Sequence, residues 1–256
     1  MIHISNKGNW LEISMDRAGR RNALTHAMYA EMTETLQQAA GWAECRSIIL
    51  SGAGGCFTAG NDLTEFLAYD PDEPHAGIAF LHALADADIP VIAAVEGQAV
   101  GVGVTMLQHC DFVLAGKSAC FRLPFVPLGL CPEGASSLLL ADIVGPRRAA
   151  QWLLTGQPFD ASEALEAGLL TRVVEDGAAL QAARATAEQL AAMPAASIRI
   201  SKHLMRDSRR NPVHHAIDNE WEYFRQCLQS EEARSRIQQF FEGKPDRGPA
   251  GEGGEL

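Results

Sequence analysis

Apolar and polar positions along the chain follow two periods. Short alternating or continuous apolar runs at 2–5, 11–15, 47–51, 90–95, 112–115 and 170–174 have the length and composition of β-strands. Between them run helical stripes. Met28, Met32, Leu36 and Ala39 share one helix face behind Thr25, a residue suited to an N-cap, and that helix is expected to end near Gly41. Asn6-Lys7-Gly8-Asn9 separates the first two strands and predicts a hairpin. The run 90–95 stays uncharged until Glu96, which predicts a strand buried on both faces. Val102, Met106 and Cys110 recur every four residues, predicting a helix that opens at the glycines Gly97, Gly101 and Gly103.

Further helices are predicted at 78–87, 135–143 and 147–154, the last two divided at Gly145-Pro146. Asp160-Ala161-Ser162-Glu163 has capping-box form and opens a short helix that Gly168 ends. From Ala178 onward the residues are helix formers: 178–193 stops at Pro194, 195–209 ends near Asn211-Pro212, and 213–229 and 231–242 follow. The polar, proline-bearing segment 68–77 predicts a surface loop, and the glycine- and proline-rich 244–256 predicts a disordered tail. Strands alternating with helices, then helices alone, give an α/β core over 1–193 with a C-terminal helical region over 194–243.

Composition narrows the function classes. At 256 residues and 47% apolar the chain can bury a full-sized core. No apolar run reaches the roughly 18 residues of a membrane span, and MIHISNKGNW has no apolar secretory core, so a membrane location is not expected. A net charge of -11 opposes non-specific attraction to nucleic-acid phosphates, while Arg17, Arg20 and Arg21 leave room for a small anionic ligand or a solvated face. Six cysteines without a CxxC pair fit reduced thiols in a cytoplasmic compartment.

Two glycine-rich strand exits draw attention, 52–63 and 97–103, yet neither has the GxGxxG spacing of a dinucleotide fold. His214 and His215 are adjacent and cannot share a metal as an i, i+4 pair does, and no GxSxG elbow supports a hydrolase; no metal site is expected. What remains is a pair of turns, at Asn61-Asp62 and Val102-Gly103, each able to aim a backbone N–H at one oxygen. Two such donors make an oxyanion hole, where one donor contributes roughly 3 to 4 kcal/mol to a transition state. Glycine at these turns also has a simple packing explanation. Glu133 has two readings as well: an ordinary acid at the second position of a helix opened by Pro132, or a lone functional carboxylate in apolar surroundings.

Phe57-Thr58-Ala59-Gly60-Asn61-Asp62-Leu63, the run 90–111 and Leu128-Gly129-Leu130-Cys131-Pro132-Glu133-Gly134 together resemble the enoyl-CoA hydratase/isomerase (crotonase) superfamily. The resemblance implies a spiral of ββα units with C-terminal helices that build homotrimers or dimers of trimers. It implies an acyl-CoA thioester as substrate, with coenzyme A arriving as part of it and no separate cofactor. The thioester oxygen would lie between the N–H groups of Asn61 and Val102, in a site that includes Ala23, Leu24, Ala59, Gly60, Asp62, Leu63, Gly101, Gly103 and Phe125.

The hydratases of this superfamily resemble one another in two glutamates, and here Thr105 and Phe125 stand at those places. The pattern is closer to the peroxisomal-type 3-enoyl to 2-enoyl-CoA isomerases, in which the glutamate matching Glu133 is the catalytic base. Leu128, Leu130 and Phe125 are then expected to surround Glu133 and raise its pKa. Gly243 stands where relatives often have a lysine, so Lys244 is the candidate for a CoA phosphate contact. The chain ends Gly-Glu-Leu and shows no acyl-CoA-binding domain ahead of the core, so a cytoplasmic rather than organellar location is expected.

Overall fold

The computed structural model of the protein describes residues 1–68 and 74–242. Strands β1 (Ile2–Asn6) and β2 (Trp10–Met15) form the predicted hairpin, with Ile4 opposite Ile13. Next come α1 (His26–Gly41), β3 (Ser47–Gly52), α2 (Leu63–Leu67), α3 (Ala76–Asp86), β4 (Val91–Val95), β5 (Gln98–Val100) and α4 (Val102–Thr105). They are followed by β6 (Phe112–Gly116), β7 (Cys120–Arg122), α5 (Ser136–Val144), α6 (Pro146–Thr155), β8 (Phe159–Asp160) and α7 (Ala161–Glu166). The chain continues with β9 (Arg172–Val174), α8 (Ala179–Ala191), α9 (Ala195–Gln229) and α10 (Glu231–Phe241). Thr25 caps α1 by accepting the Met28 N–H, as its position suggested.

A six-stranded sheet runs β1-β2-β3-β4-β6-β9 and a three-stranded sheet runs β5-β7-β8. Apart from β1 against β2, the pairs of the large sheet are parallel. After β4 and again after β6 the chain leaves the large sheet, adds a strand to the small one and enters a helix, which is the expected ββα repeat.

Strand alternation divides the core. Ile48, Leu50, Val91, Ala93, Val95, Val113 and Ala115 belong to the main hydrophobic cluster, while Ile49, Ile92, Ala94 and Leu114 lie in a second one. That second cluster is closed by Ala179, Ala183 and Ala187, a four-residue stripe of small side chains along α8 that permits close approach to the sheet. All five residues of β4 are buried, as its uncharged run predicted.

Three expectations change. Residues 195–229 form one 35-residue helix with Pro212 inside it, where a break was expected. Proline removes one hydrogen bond and crowds the preceding turn. Tertiary contacts hold both sides of that defect: Arg209 pairs with Asp142, Arg210 with Asp88 at 2.6 Å, and Val213 and Ile217 are buried. The helix predicted from Val102 to Cys110 is one α-turn followed by a 3-10 turn at Met106–His109. Its residues are buried on every side, so no amphipathic face enforces a 3.6-residue period. Of the expected surface loop 68–77, residues 69–73 lie outside the described residues, whereas His75 and Gly77 are buried and His75 caps α3 through Gly77 N–H at 3.1 Å. The tail 244–256, with Lys244, also lies outside the described residues.

Helix α9 crosses α3 and α5 and shares the core. Val213, Ile217, Phe224 and Leu228 join the cluster that holds Leu81 and Leu140, and buried Lys202 donates to Ile89 O at 2.6 Å and pairs with Asp111 at 2.7 Å. Among the described residues no helix is long and apolar enough to cross a membrane.

Candidate active site

The first glycine turn is held by a single parallel bridge between Leu24 and Asn61. Leu24 N–H donates to Gly60 O and Asp62 N–H to Leu24 O, each at 2.8 Å, so the Asn61 N–H between them points away from the bridge. Gly60 has φ +89°, and a Cβ there would stand 2.7 Å from Val100 O. Only glycine fits that approach. Behind it, Thr58 Oγ1 accepts Gly60 N–H at 3.0 Å and donates to Asn22 O at 2.7 Å, and Asn22 Nδ2 donates to Cys56 O at 2.7 Å. Ala59 N–H donates to Arg21 O at 2.8 Å, and Ala23 O accepts Arg17 Nη1 at 3.1 Å. Asp62 caps α2 through Thr64 N–H and takes Arg17 as an ion partner at 2.5 Å, so Arg17 is a structural cation and not part of a solvated face. Leu63 is the first residue of that helix.

The second turn lies alongside the first. Val100 N–H donates to Thr58 O at 3.0 Å, and Gly101 N–H to Arg122 O at 2.9 Å. Gly101 O accepts Val104 and Thr105 N–H at 2.8 and 3.0 Å, leaving Val102 as the first residue of α4. A Cβ on Gly103 would meet Thr58 Cγ2 at 2.6 Å, so this glycine lets the two turns touch. Among the described residues, neither the Asn61 N–H nor the Val102 N–H has a hydrogen-bond acceptor.

Glu133 is buried and precedes α5 by three residues, so it is not the helix-start acid of the simpler reading. Gly134 at φ +72° and Ala135 at φ +61° make a left-handed turn between them. Thr105 Oγ1 donates to Glu133 Oε1 at 2.7 Å and lies 3.4 Å from Val102 O, which connects the carboxylate to the second donor turn. His109 Nε2 is 2.9 Å from Gly134 O, and Ser136 Oγ donates to Glu133 O at 2.6 Å. Burial pushes the Glu133 carboxyl up to about 7; the Thr105 hydrogen bond opposes this and the negative charge of Glu220 adds to it.

Asn61 and Glu133 line one small cavity of about 10 Å³, the space of roughly one water. Its other walls include Tyr29, His75, Trp221 and Phe224. The sequence pointed to Leu128, Leu130 and Phe125 as neighbours of Glu133; the cavity wall beside it is aromatic and comes from distant segments. Phe125 instead packs edge-on against Phe224, with ring centroids 6.4 Å apart, and stands beside Gly101.

The Tyr29 hydroxyl donates to Asn61 Oδ1, and burial followed by the charge of Glu133 holds its pKa well above the usual value, so it remains a donor. Desolvation pushes His75 down to about 4, which leaves it neutral at pH 7. Sequence patterns had not singled out Tyr29, His75, Glu220, Trp221 or Phe224. The aromatic pair Trp221 and Phe224, three apart on a charged helix, is the one local signal that was available.

Comparison with known proteins gives the family and the fold. A family profile described as Enoyl-CoA hydratase/isomerase matches residues 5–247. The chain belongs to the enoyl-CoA hydratase/isomerase family. One relative is Enoyl-CoA delta isomerase 2 of Rattus norvegicus, 31% identical over 251 residues, covering 95% of this chain and 64% of the rat protein. The chain thus spans just under two thirds of that relative's length. Carnitinyl-CoA dehydratase of Citrobacter koseri is 33% identical over 249 residues, covering 94% of this chain and 95% of the relative.

The crystal structure of an enoyl-CoA hydratase/isomerase from Pseudoalteromonas atlantica T6c matches with TM-score 0.90 and 38% identity over 95% of this chain and 98% of that one. The fold is the crotonase fold that the sequence resemblance implied. The family match extends over nearly the whole chain. Its relatives carry the names of different reactions.

Proposed function

We propose that the protein moves the double bond of a 3-enoyl-CoA to give the conjugated 2-enoyl-CoA. The observation that carries this reading is a single carboxylate, Glu133, lining the same cavity as Asn61, with a threonine hydroxyl as its hydrogen-bond partner. Removing a C2 proton from a 3-enoyl thioester produces a dienolate, with negative charge on the thioester oxygen. The unpartnered N–H groups of Asn61 and Val102 are the donors for that oxygen. Glu133 takes the proton from C2 and returns it at C4, so one carboxylate completes the cycle. A raised pKa makes it a stronger base when ionised while keeping it near the protonation balance a shuttle needs.

No group beyond the substrate's own coenzyme A enters this scheme. The six free thiols fit a reducing, cytoplasmic compartment. The proposed assembly is a homotrimer or a dimer of trimers, with 194–243 contributing to contacts between subunits. A dehydratase reading is favoured by one observation, the Citrobacter koseri relative that aligns nearly end to end. Against it, adding or removing water asks for two proton-transfer groups, and Glu133 has Thr105 beside it.

The deciding experiment follows conversion of a 3-enoyl-CoA to the 2-enoyl product by absorbance, beside hydration of a 2-enoyl-CoA, in the wild type and in Glu133→Gln. Isomerisation is expected to fall at least roughly a hundredfold in the variant while product binding persists. Hydration without isomerisation in the wild type would reject this function in favour of the dehydratase reading.

A further inference from the structure

Glu220 sits on α9 and is only 6% exposed. One carboxylate oxygen accepts Ala135 N–H at 2.7 Å and the other accepts Ser137 N–H at 2.8 Å, across 85 and 83 positions of sequence. These are backbone donors at the start of α5, whose own N-cap residue, Ala135, supplies no side-chain cap. Ala135 is also one of three non-glycine residues at positive φ among the described residues, and it follows left-handed Gly134 directly. Such a backbone persists where its surroundings over-determine it. Here those surroundings are His109 on Gly134 O, Ser136 Oγ on Glu133 O, and Glu220 on the two N–H groups. The turn they hold is the one that presents Glu133 to Thr105 and to the cavity.

We propose that Glu220 is a positioning residue of this active site, its carboxylate spanning Ala135 and Ser137 N–H to hold the left-handed turn that aims Glu133. The inference deepens the functional reading above, because it takes Glu133 as the acid/base. An electrostatic consequence follows from the same placement. The groups facing Glu133 are Tyr29 from α1, Asn61 beside α2, His75 ahead of α3, Thr105 from α4 and Glu220 from α9, with His109 behind the turn. Tyr29 stays protonated, and His75 and His109, both pushed down to about 4 by burial, stay neutral at the working pH. Burial raises the Glu220 carboxyl as well, while the hydrogen bonds from Ser137 and Ala135 favour its ionised form, and its negative charge opposes ionisation of Glu133. Removing that charge shifts Glu133 ionisation to lower pH.

The test uses Glu220→Gln, which keeps one acceptor oxygen without the charge, and Glu220→Ala, which keeps neither. Two readouts are needed: the pH profile of turnover, and the titration of Glu133 itself by NMR of protein labelled at the glutamate carboxyl carbon, its resonance assigned by its loss in Glu133→Gln. In Glu220→Gln the Glu133 midpoint is expected to fall by about half a pH unit or more, with the acid limb of turnover moving the same way. In Glu220→Ala, kcat is expected to fall at least about tenfold with KM within threefold of wild type.

An unchanged Glu133 titration and wild-type kcat in the folded Gln variant would overturn the proposal, even if the Ala variant melts earlier, since a purely structural cap moves stability alone. The NMR readout does not depend on which reaction is catalysed. A wild type that fails to isomerise therefore tells against the proposed function without removing the test of Glu220.

Discussion

The two halves of the site are built differently. The donor turns around Asn61 and Val102 are backbone, locked by bridges from Leu24 to Asn61 and from Thr58 to Ala99 and by close glycine approaches that leave no room for a Cβ. The Glu133 turn is held by side chains, from Thr105, His109, Ser136 and, across the fold, Glu220. Backbone donors carry no proton that ordinary pH can move, so that half is a fixed electrostatic frame. A carboxylate held by side chains is adjustable, since each partner changes its ionisation. The division suits a reaction in which one group must hold still and another must give and take a proton.

Replacing the adjustable group is the most severe way to break the comparison. Glu133→Gln is expected to lower turnover by roughly 10² to 10⁴ and, at the same time, to stabilise the fold at alkaline pH. The sign follows from linkage. The Glu133 pKa is raised from 4.5 to about 7 in the folded state, so the folded protein holds the proton more tightly and loses stability as pH rises across that interval. Glutamine does not titrate, so the variant should gain about 3 kcal/mol over wild type at pH 8 and little at pH 4, as read by denaturant melts at both pH values. Equal stability at pH 8 would refute a buried carboxylate forced to ionise.

Breaking the fixed frame comes next. Gly60→Ala puts a Cβ at 2.7 Å from Val100 O in a left-handed backbone. A melt should show a loss of at least about 1 to 2 kcal/mol, and misalignment of the Asn61 donor should lower kcat by roughly a hundredfold. If kcat holds while stability drops, the Asn61 N–H is not the oxyanion donor.

Thr105→Val sharpens the contrast without removing either half. The hydroxyl favours the ionised Glu133, so its loss should raise the acid limb of the kcat profile by about one pH unit. The rate deficit at pH 7 should shrink at pH 9, and a deficit independent of pH would assign Thr105 to packing. Tyr29→Phe is the mildest change. It removes the hydroxyl that anchors Asn61 Oδ1, and since the Asn61 backbone keeps its bridge, kcat should fall less than about tenfold and stability by about 1 kcal/mol.

Much of the fold was legible in sequence because local physics wrote it there. Thr25 capped the helix it precedes, the uncharged run 90–95 became a fully buried strand, and the glycines marked both donor turns. Glu133 could be singled out as a lone carboxylate in an apolar stretch, yet its place after Pro132 read first as an acid opening a helix, and the family resemblance gave it the functional role. The failures share a cause. Pro212 reads as a helix end because proline is locally unfavourable, and contacts of α9 with Asp142, Asp86 and Asp88 override it. Burial on all sides of 102–109 removes the one-faced period from which a helix is recognised.

By itself the sequence determined the six strands of the large sheet, most helices, the two glycine turns and the chemical types at the site, because these depend on neighbours within a few residues, whereas the short strands of the small sheet carried no such pattern. Only the tertiary structure decided that Tyr29, His75, Trp221 and Phe224 close the cavity with Glu133, and that Glu220 grips the turn behind it. The physical reason is distance along the chain. A pKa and an aim are properties of whatever packs against a group, and here those neighbours come from α1, α4 and α9, which no local pattern relates to one another.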